Sequence, residues 1–467
     1  MVGVITGGVI TGGVTIVESD NSTDLFEGIT KDTYTIVLNS KPSSSVIVNI
    51  NFDSTQLKLN ETMISPIQIT FTSSNWSIAQ TITVEALYDN VTEGTQTKSI
   101  THIAASSDSN YNGLTIASVT VTIRDTTSAT VKGSFQSGNL TVSSSSQAIT
   151  LTTTVDSTKA FVICNSKYAN SSTNNFITCQ LNTAGTQVTI QTGGGGASTV
   201  VDWYVMEYSS GAMVQRGATN FATTDFTLNA SLTTSVSTTK TFVIASTRST
   251  IVGATADGNR TVRARLTSST NLELSRNETG GTAVTEWQVV QFDGSKVQSG
   301  TVTLSNGNTS TTATLSNSVN LNSSFLIFNY KAAAAVVGVE RDFYVRGSYA
   351  NSSTLSFNRV GNSQDMDISW FAIEMVDRTT VQSGSATMLA GGGTTTNSTL
   401  SNPVTTTKSM IIFSNDTSTD AASIPDFTGQ DSGTYTATFV SSTQVNFTRN
   451  IDEMNGAIIN WFVVSFQ

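Results

Sequence analysis

Four times after residue 130 the chain returns to the same order of apolar and polar positions, with a period of about 83 residues. Each period carries a tryptophan run: DWYVMEY at Trp203, EWQVVQF at Trp287, SWFAIEM at Trp370 and NWFVVSF at Trp461. Apolar and polar residues roughly alternate in these runs, which predicts strands with one buried face. Each period also has an early apolar strand after a polar turn, at Phe161, Phe242, Phe325 and Met410. A third landmark reads QVTIQT, NLELSR, TLSFNR and QVNFTR. Eighty-three residues accommodate about seven short strands and their turns, the size of an immunoglobulin-like sandwich. The tryptophans are expected in the sandwich cores. The fold class expected is all-β: tandem immunoglobulin-like β-sandwich domains forming an elongated rod.

A Gln-x-Gly element follows or precedes each tryptophan run, at Gln136, Gln215, Gln298 and Gln382. In WQVVQFDGSKVQSGTVTL a strand, a tight polar turn and a second strand read as a hairpin. The phase stays open, because the Gln-x-Gly strand opens one sandwich or closes the one before it. In the closing phase the boundaries are 131–217, 218–300, 301–384 and 385–467, and the last sandwich lacks a strand. Its sheet edge at Trp461, Phe462, Val463, Val464 and Phe466 would then be an acceptor. The first seventeen residues form an apolar, Gly-spaced segment (VGVITGGVITGGVTI). Val2, Val4, Ile5, Val9, Ile10, Val14 and Ile16 would be the donor, completing the last sandwich of a neighbouring copy by strand addition. A head-to-tail contact of this kind yields an open filament. The alternative is that the segment is the first strand of its own domain.

Residues 18–130 differ from the repeats. The stretch ITFTSSNWSIAQTITVEALYDNVTEGTQTKSITHIAASSDSNYNGLTIASVTVTIRD, with its strand–NW–strand and D-x-x-x-E-G patterns, resembles the Calx-β-like sandwich repeats of large bacterial and archaeal surface adhesins. The resemblance covers about residues 14–125. It implies a seven-stranded sandwich in an extracellular setting, and acidic loop residues that bind Ca²⁺. The matching positions are Glu18, Asp89, Glu93 and Asp125. The sequence departs from the pattern at Tyr88-Asp89, where paired acids are usual, and at Asp125, which threonines follow.

Composition narrows the function. Charged residues are 12% of the chain, with 23 Lys plus Arg against 33 Asp plus Glu. The cations are too few and scattered to neutralise a phosphate backbone, so nucleic acid is not expected as a partner. No signal peptide and no membrane span is read, and an exported form is expected to have lost a leader. The two cysteines, Cys164 and Cys179, lie in strand-like runs of one repeat. They read as an intradomain disulfide, or else as two buried thiols. Fifteen Asn-x-Ser/Thr sequons occur, barely above chance for this composition. Asn75, Asn170, Asn277, Asn351 and Asn446 are among those open to glycans in an exported protein.

No catalytic constellation is read, so no enzyme and no cofactor beyond the Ca²⁺ of the resemblance is expected. The single histidine, His102, sits in a strand-like run and reads as structural. Glu207 and Glu374 occupy equivalent places where the other repeats have Gln291 and Ser465, which suits a solvent-facing position better than a glycosidase pair. The run Gly193 to Gly196 reads as a strand-to-strand turn. Tyr168, Tyr204, Tyr208 and Phe371 are the candidate aromatic platforms for sugar. The leading functional expectation is a subunit of an extracellular filament or surface appendage that polymerises with copies of itself. The alternative is a cell-surface adhesin or phage fibre component that binds a glycan or receptor.

Overall fold

A computed structural model describes residues 13–28, 30–87, 93–124, 135–168, 176–193, 199–208, 211–249, 261–332, 342–377, 379–417, 434–450 and 456–466. The chain divides into two compact units, Met1–Ser128 and Ala129–Gln467. Both are built from β-strands.

The first unit is a two-sheet sandwich with nine described strands. One sheet has the order β1 (Val14–Glu18), β3 (Lys31–Leu38), β7 (Gln80–Ala86), β5 (Leu57–Leu59). The other runs β2 (Thr23–Phe26), β9 (Thr115–Arg124), β8 (Thr95–Ser106), β4 (Val46–Asn51), β6 (Ile67–Phe71). Alternate residues of the facing strands fill the core, among them Ile36, Val48, Ile82, Val84 and Val121. The NW motif falls in the turn between β6 and β7, where the Leu38 amide donates to the Trp76 carbonyl at 3.2 Å. His102 is buried in the same core. Its Nδ1 is 2.8 Å from the Ala117 carbonyl, which can only accept, so Nε2 accepts from the Tyr34 hydroxyl at 2.9 Å. The histidine is thus a core residue, with its pKa lowered chiefly by burial.

Val14 and Ile16 correct the donor assignment. They lie in β1 and pair antiparallel with Leu38 and Ile36 of the same chain. Val2, Val4, Ile5, Val9 and Ile10 lie outside the described residues. Apolar alternation fits residues 14–18 to the edge of their own sandwich, so the donor reading and the first-strand reading competed for the same pattern.

The second unit holds the four repeats, each with six described strands in two three-stranded sheets. In the first repeat β10 (Gln136–Val142), β15 (Thr199–Glu207) and β12 (Ala160–Tyr168) form one sheet, with β15 central. The other sheet orders β11 (Ser146–Thr150), β14 (Gln187–Thr192), β13 (Ile177–Leu181). The second repeat reproduces this with β16 (Ala212–Phe221), β21 (Ala283–Phe292) and β18 (Thr241–Ser249) against β17 (Thr227–Ser231), β20 (Asn271–Ser275) and β19 (Arg263–Ser268). The third uses β22 (Ser295–Leu304), β27 (Met366–Met375) and β24 (Ser324–Ala332) against β23 (Ser310–Thr314), β26 (Thr354–Asn358) and β25 (Arg346–Asn351). The fourth uses β28 (Thr380–Met388), β33 (Ala457–Ser465) and β30 (Ser409–Asn415) against β29 (Thr395–Thr399), β32 (Gln444–Thr448) and β31 (Thr436–Ser441).

The Gln-x-Gly strand therefore opens a repeat and pairs with the tryptophan strand that follows it. Gly138, Gly217, Gly300 and Gly384 lie directly opposite Trp203, Trp287, Trp370 and Trp461. A Cβ on any of these glycines would sit 2.5–2.8 Å from the indole Cζ2, so only glycine lets the ring lie flat on the neighbouring backbone. The glutamine two residues earlier clamps a loop. Gln298 donates to the Asn317 carbonyl at 2.8 Å and accepts from the Asn317 amide at 2.9 Å, and Gln136, Gln215 and Gln382 do the same to Thr153, Thr234 and Asn402.

This phase corrects three expectations. The repeats run from the Gln-x-Gly strand to the tryptophan strand, not 131–217, 218–300, 301–384 and 385–467. The hairpin across WQVVQFDGSKVQSGTVTL does not form, because both edges of β21 are already taken by β16 and β18. The strand that carries Trp461, Phe462, Val463 and Val464, with Phe466 just beyond it, has no vacant edge for an acceptor, since β28 and β30 flank β33 on both sides.

The tryptophan strands also break the expected alternation, because both of their faces are buried. In β33, Trp461 and Val463 pack inside their own sandwich, while Phe462, Val464 and Phe466 join a core shared by all four repeats. The early apolar strands feed the same shared core: Phe161 meets Phe242 at 5.9 Å between ring centroids and Phe242 meets Phe325 at 6.2 Å, with Met410 in the cluster. Strands covered on two sides carry near-continuous apolar runs.

The repeats do not extend as a rod. Each packs on the next through its third-landmark sheet edge. Glu286 of the second repeat receives the Thr178 hydroxyl of the first at 3.3 Å, the Ala264 amide donates to Asn329 at 2.6 Å, and the Gly347 amide donates to Ser414 at 3.0 Å. The fourth repeat then closes on the first: the Tyr204 hydroxyl donates to the Ala437 carbonyl at 3.2 Å, and Phe466 packs against Phe135 and Tyr208. One heterologous interface used four times makes a ring when its rotation closes.

Candidate functional site

The ring has three covalent junctions and one seam, where the fourth repeat meets the first. At the first junction the Val214 amide donates to the Thr158 carbonyl at 2.7 Å, tying the opening strand of one repeat to the turn of its predecessor. Arg216, in the middle of Gln215-Arg216-Gly217, reaches the Ala160 carbonyl there. At the seam the corresponding residue is Ser137, and a cleft of about 620 Å³ lies between β10 and the turn at Thr406.

Asp202 lies in the floor of this cleft, one residue before Trp203 and 3% exposed. Across the sheet it is flanked by Asn139 and Asn165. Its Oδ1 accepts from Asn139 Nδ2 at 2.5 Å, and its Oδ2 is buried without a hydrogen-bond partner. Burial pushes its pKa up to about 6, a shift that Asn139, the Ala437 amide and Lys167 only partly offset. The three other repeats have solved the same position differently. Glu286 pairs with Arg248 at 2.7 Å, Asn460 donates to the Gly347 carbonyl at 3.4 Å, and the third repeat has Ser369. Because the folded pKa of Asp202 is raised, its favourable contribution is complete below pH 3.8 and is lost as the pH rises through about 6. A shift of this size corresponds to about 3 kcal/mol. Asp202→Asn, which copies the arrangement at Asn460, is expected to stabilise the second unit at pH 7.5 and to leave it unchanged at pH 4. Thermal melts at the two pH values check this.

Cys164 on β12 and Cys179 on β13 form a disulfide with a Cα–Cα distance of 6.4 Å, bridging the two sheets of the first repeat. Closing a 15-residue separation is worth about 3 kcal/mol. Replacing both cysteines by alanine is expected to lower the denaturation midpoint of the second unit accordingly, as measured in guanidinium.

The carboxylate positions expected to face solvent are caps. Glu207 accepts from the Asp156 amide at 2.9 Å, Gln291 from the Ser237 amide at 2.6 Å and Glu374 from the Asn320 amide at 2.9 Å, and Ser465 bonds Ser409 at 2.8 Å. An amide at the start of a turn needs an acceptor, which Glu and Gln both supply, whereas Ser465 bonds a hydroxyl instead. Tyr204, Tyr208 and Phe371 are buried in the shared core and offer no exposed platform. The side chain of Tyr168 lies outside the described residues. Only Gly193 of the glycine run is described, at the end of β14.

Of the Ca²⁺ positions, Asp89 and Asp125 lie outside the described residues. Glu18 accepts the Thr23 hydroxyl at 2.8 Å, and Glu93 is exposed. Among the described residues no three His, Cys, Asp or Glu gather as a metal group, so the described carboxylates do not fit a calcium set. The sequons differ in availability. Asn75 is tied into its turn by Thr72 and Thr70, and Asn446 donates to Asn397 inside a sheet. Asn351 is exposed, with its Oδ1 accepting from the Ser353 amide and hydroxyl at 2.9 and 3.0 Å. Asn277 is half-buried, and Asn170 lies outside the described residues. Among the described residues no helix is long and apolar enough to cross a membrane.

No protein-family model matches the chain. No curated protein matches it either. Solved structures similar to it include Calx domains and a peptidase. The apo form of the Calx CBD1 domain is 15% identical over 24% of this chain and 97% of that one, with a TM-score of 0.18. The CBD12 region of CALX1.2 is 13% identical over 43% of this chain and 77% of that one, with a TM-score of 0.20. Tripeptidyl peptidase 2 is 7% identical over 80% of this chain and 34% of that one, with a TM-score of 0.22. Identities and TM-scores this low transfer no ligand or activity to this chain.

Proposed function

We propose that the chain is a non-catalytic structural protein of an extracellular surface, an adhesin or fibre component. The observation that carries this reading is the use of nearly all its distinctive residues in construction. Tryptophans, glycines, glutamines and capping carboxylates of the repeats hold strands and loops, and the described ionisable clusters are ion pairs or caps. The disulfide supports an oxidising setting. A surface of hydroxyls with 12% charged residues, and the exposed Asn351 sequon, suit exposure outside the cell. Self-association by insertion of residues 2–16 beside Trp461 is not part of the proposal, because that sheet edge is filled.

Antibody labelling of intact source cells or particles tests it. Labelling without permeabilisation, with no free thiol titratable in the native protein, is the expected result. Signal only after permeabilisation, or two reactive thiols, overturns it.

A further inference from the structure

At the seam a cleft lies beside a buried carboxylate oxygen that makes no hydrogen bond. The shared core closes with Phe466 against Phe135, yet beside it a cleft remains whose wall is held in position. Gln136 fixes Thr153 through its amide and carbonyl and receives the Thr152 hydroxyl at 2.9 Å. The opposite wall carries Thr406, Thr438 and the half-buried ring of Phe439. Trp203 and Asp202 line it as well, and the Oδ2 of Asp202 is buried without a hydrogen bond.

This chemistry selects among ligands. Among the described residues no lysine or arginine lines the cleft, so a phosphate or other anion finds no counter-charge there. A purely apolar ligand would strand the carboxylate and the hydroxyls. A ligand with several hydroxyl donors and acceptors on an apolar ring face satisfies both, because it donates to Asp202 and lays its ring hydrogens on an aromatic face. We propose that the seam cleft between the first and fourth repeats binds a neutral saccharide, with Asp202 accepting a sugar hydroxyl and Phe439 packing on the ring. A buried carboxylate with one oxygen lacking a hydrogen bond costs stability at neutral pH, a cost expected where a group is kept for a ligand rather than for the fold. The inference rests on the surface reading for its setting, since a surface protein meets glycans.

The test uses the purified full chain at pH 7.5, with maltotriose, cellotriose, mannotriose and tri-N-acetylchitotriose as probes, and spermidine and inorganic phosphate as the charged alternatives. Saturation-transfer NMR and calorimetry are expected to show binding of at least one trisaccharide. Asp202→Ala and Phe439→Ala should each weaken it by about tenfold or more, the loss of one buried charged hydrogen bond or one stacked ring. Thr152→Val serves where Phe439→Ala unfolds, as judged by melting. Phe328→Ala, in the groove between the third and fourth repeats, should leave binding unchanged. Absence of binding to all four sugars at millimolar concentration, binding indifferent to the seam variants, or binding of spermidine or phosphate alone overturns the proposal. Surface labelling with no sugar binding would leave the location standing and remove the cleft.

Discussion

Gly300→Ala is expected to destabilise the second unit by about 3 kcal/mol or more and to lower its melting temperature by roughly 6–12 °C. The added Cβ would stand 2.5 Å from Cζ2 and 2.9 Å from Cε2 of Trp370. The indole has nowhere to retreat. It is 7% exposed in the centre of a sheet, with Gly300 on one neighbouring strand and Phe328 opposite on the other. Ser299→Ala, one residue away and exposed, is the matched control and should change the midpoint little. A melt in which Gly300→Ala and Ser299→Ala coincide would show that the glycine has no role in seating the tryptophan. The same substitution at Gly217 or Gly384 should behave alike, because the geometry recurs at 2.5 Å in both.

Arg276→Ala carries the other large expected effect, about 3–5 kcal/mol by chemical denaturation. Arg276 is 1% exposed and spends its guanidinium on backbone carbonyls: Asp225 at 2.8 Å, Gly281 at 2.8 Å and Ala222 at 2.5 Å. Its guanidinium carbon also lies 5.0 Å from the centroid of the Phe221 ring. Removing Arg276 takes the guanidinium donors from these three carbonyls, of which Ala222 keeps the Asp225 amide at 3.2 Å, and leaves a cavity where a 1% exposed side chain stood. Arg276→Lys keeps a charge but loses the fork, so it should recover only part of the loss. Arg359 and Arg449 end the corresponding strands and bond the Ser305 and Asn308 carbonyls, and the Leu389 and Gly393 carbonyls. In the first repeat the position is Thr192, whose amide reaches Ser145. Since the apolar core runs continuously through all four repeats, Arg276→Ala should lower one cooperative transition of the whole second unit rather than release the second repeat alone.

Much of the fold was legible in the chain. The order of landmarks marked four equal units, and the alternating apolar runs marked strands. Burial of the four tryptophans followed from their place in those runs. The pairing of Cys164 with Cys179 stood as one of two readings until their strands were seen to face each other across a sandwich. The strand–NW–strand pattern of the first unit was found as β6, a turn and β7. The candidate site was hardly legible. Asp202 is one polar residue before a tryptophan, in a place where Glu286, Ser369 and Asn460 also occur. Nothing in the sequence singled it out, and it is the seam that places a cleft beside Asp202.

The sequence by itself determined the strands and their repeat, because local sterics and side-chain alternation act over a few residues. It did not determine which tryptophan strand each Gln-x-Gly strand pairs with, since a hairpin backward and a crossing forward place the same residues in strands. Tertiary structure decided that, and with it the closure of the fourth repeat on the first. Ring or rod depends on the angle between successive sandwiches, a small rotation summed over four interfaces, and no run of residues records it. The second buried face of the tryptophan strands is the trace such closure leaves: apolar residues where one sandwich alone would have wanted water.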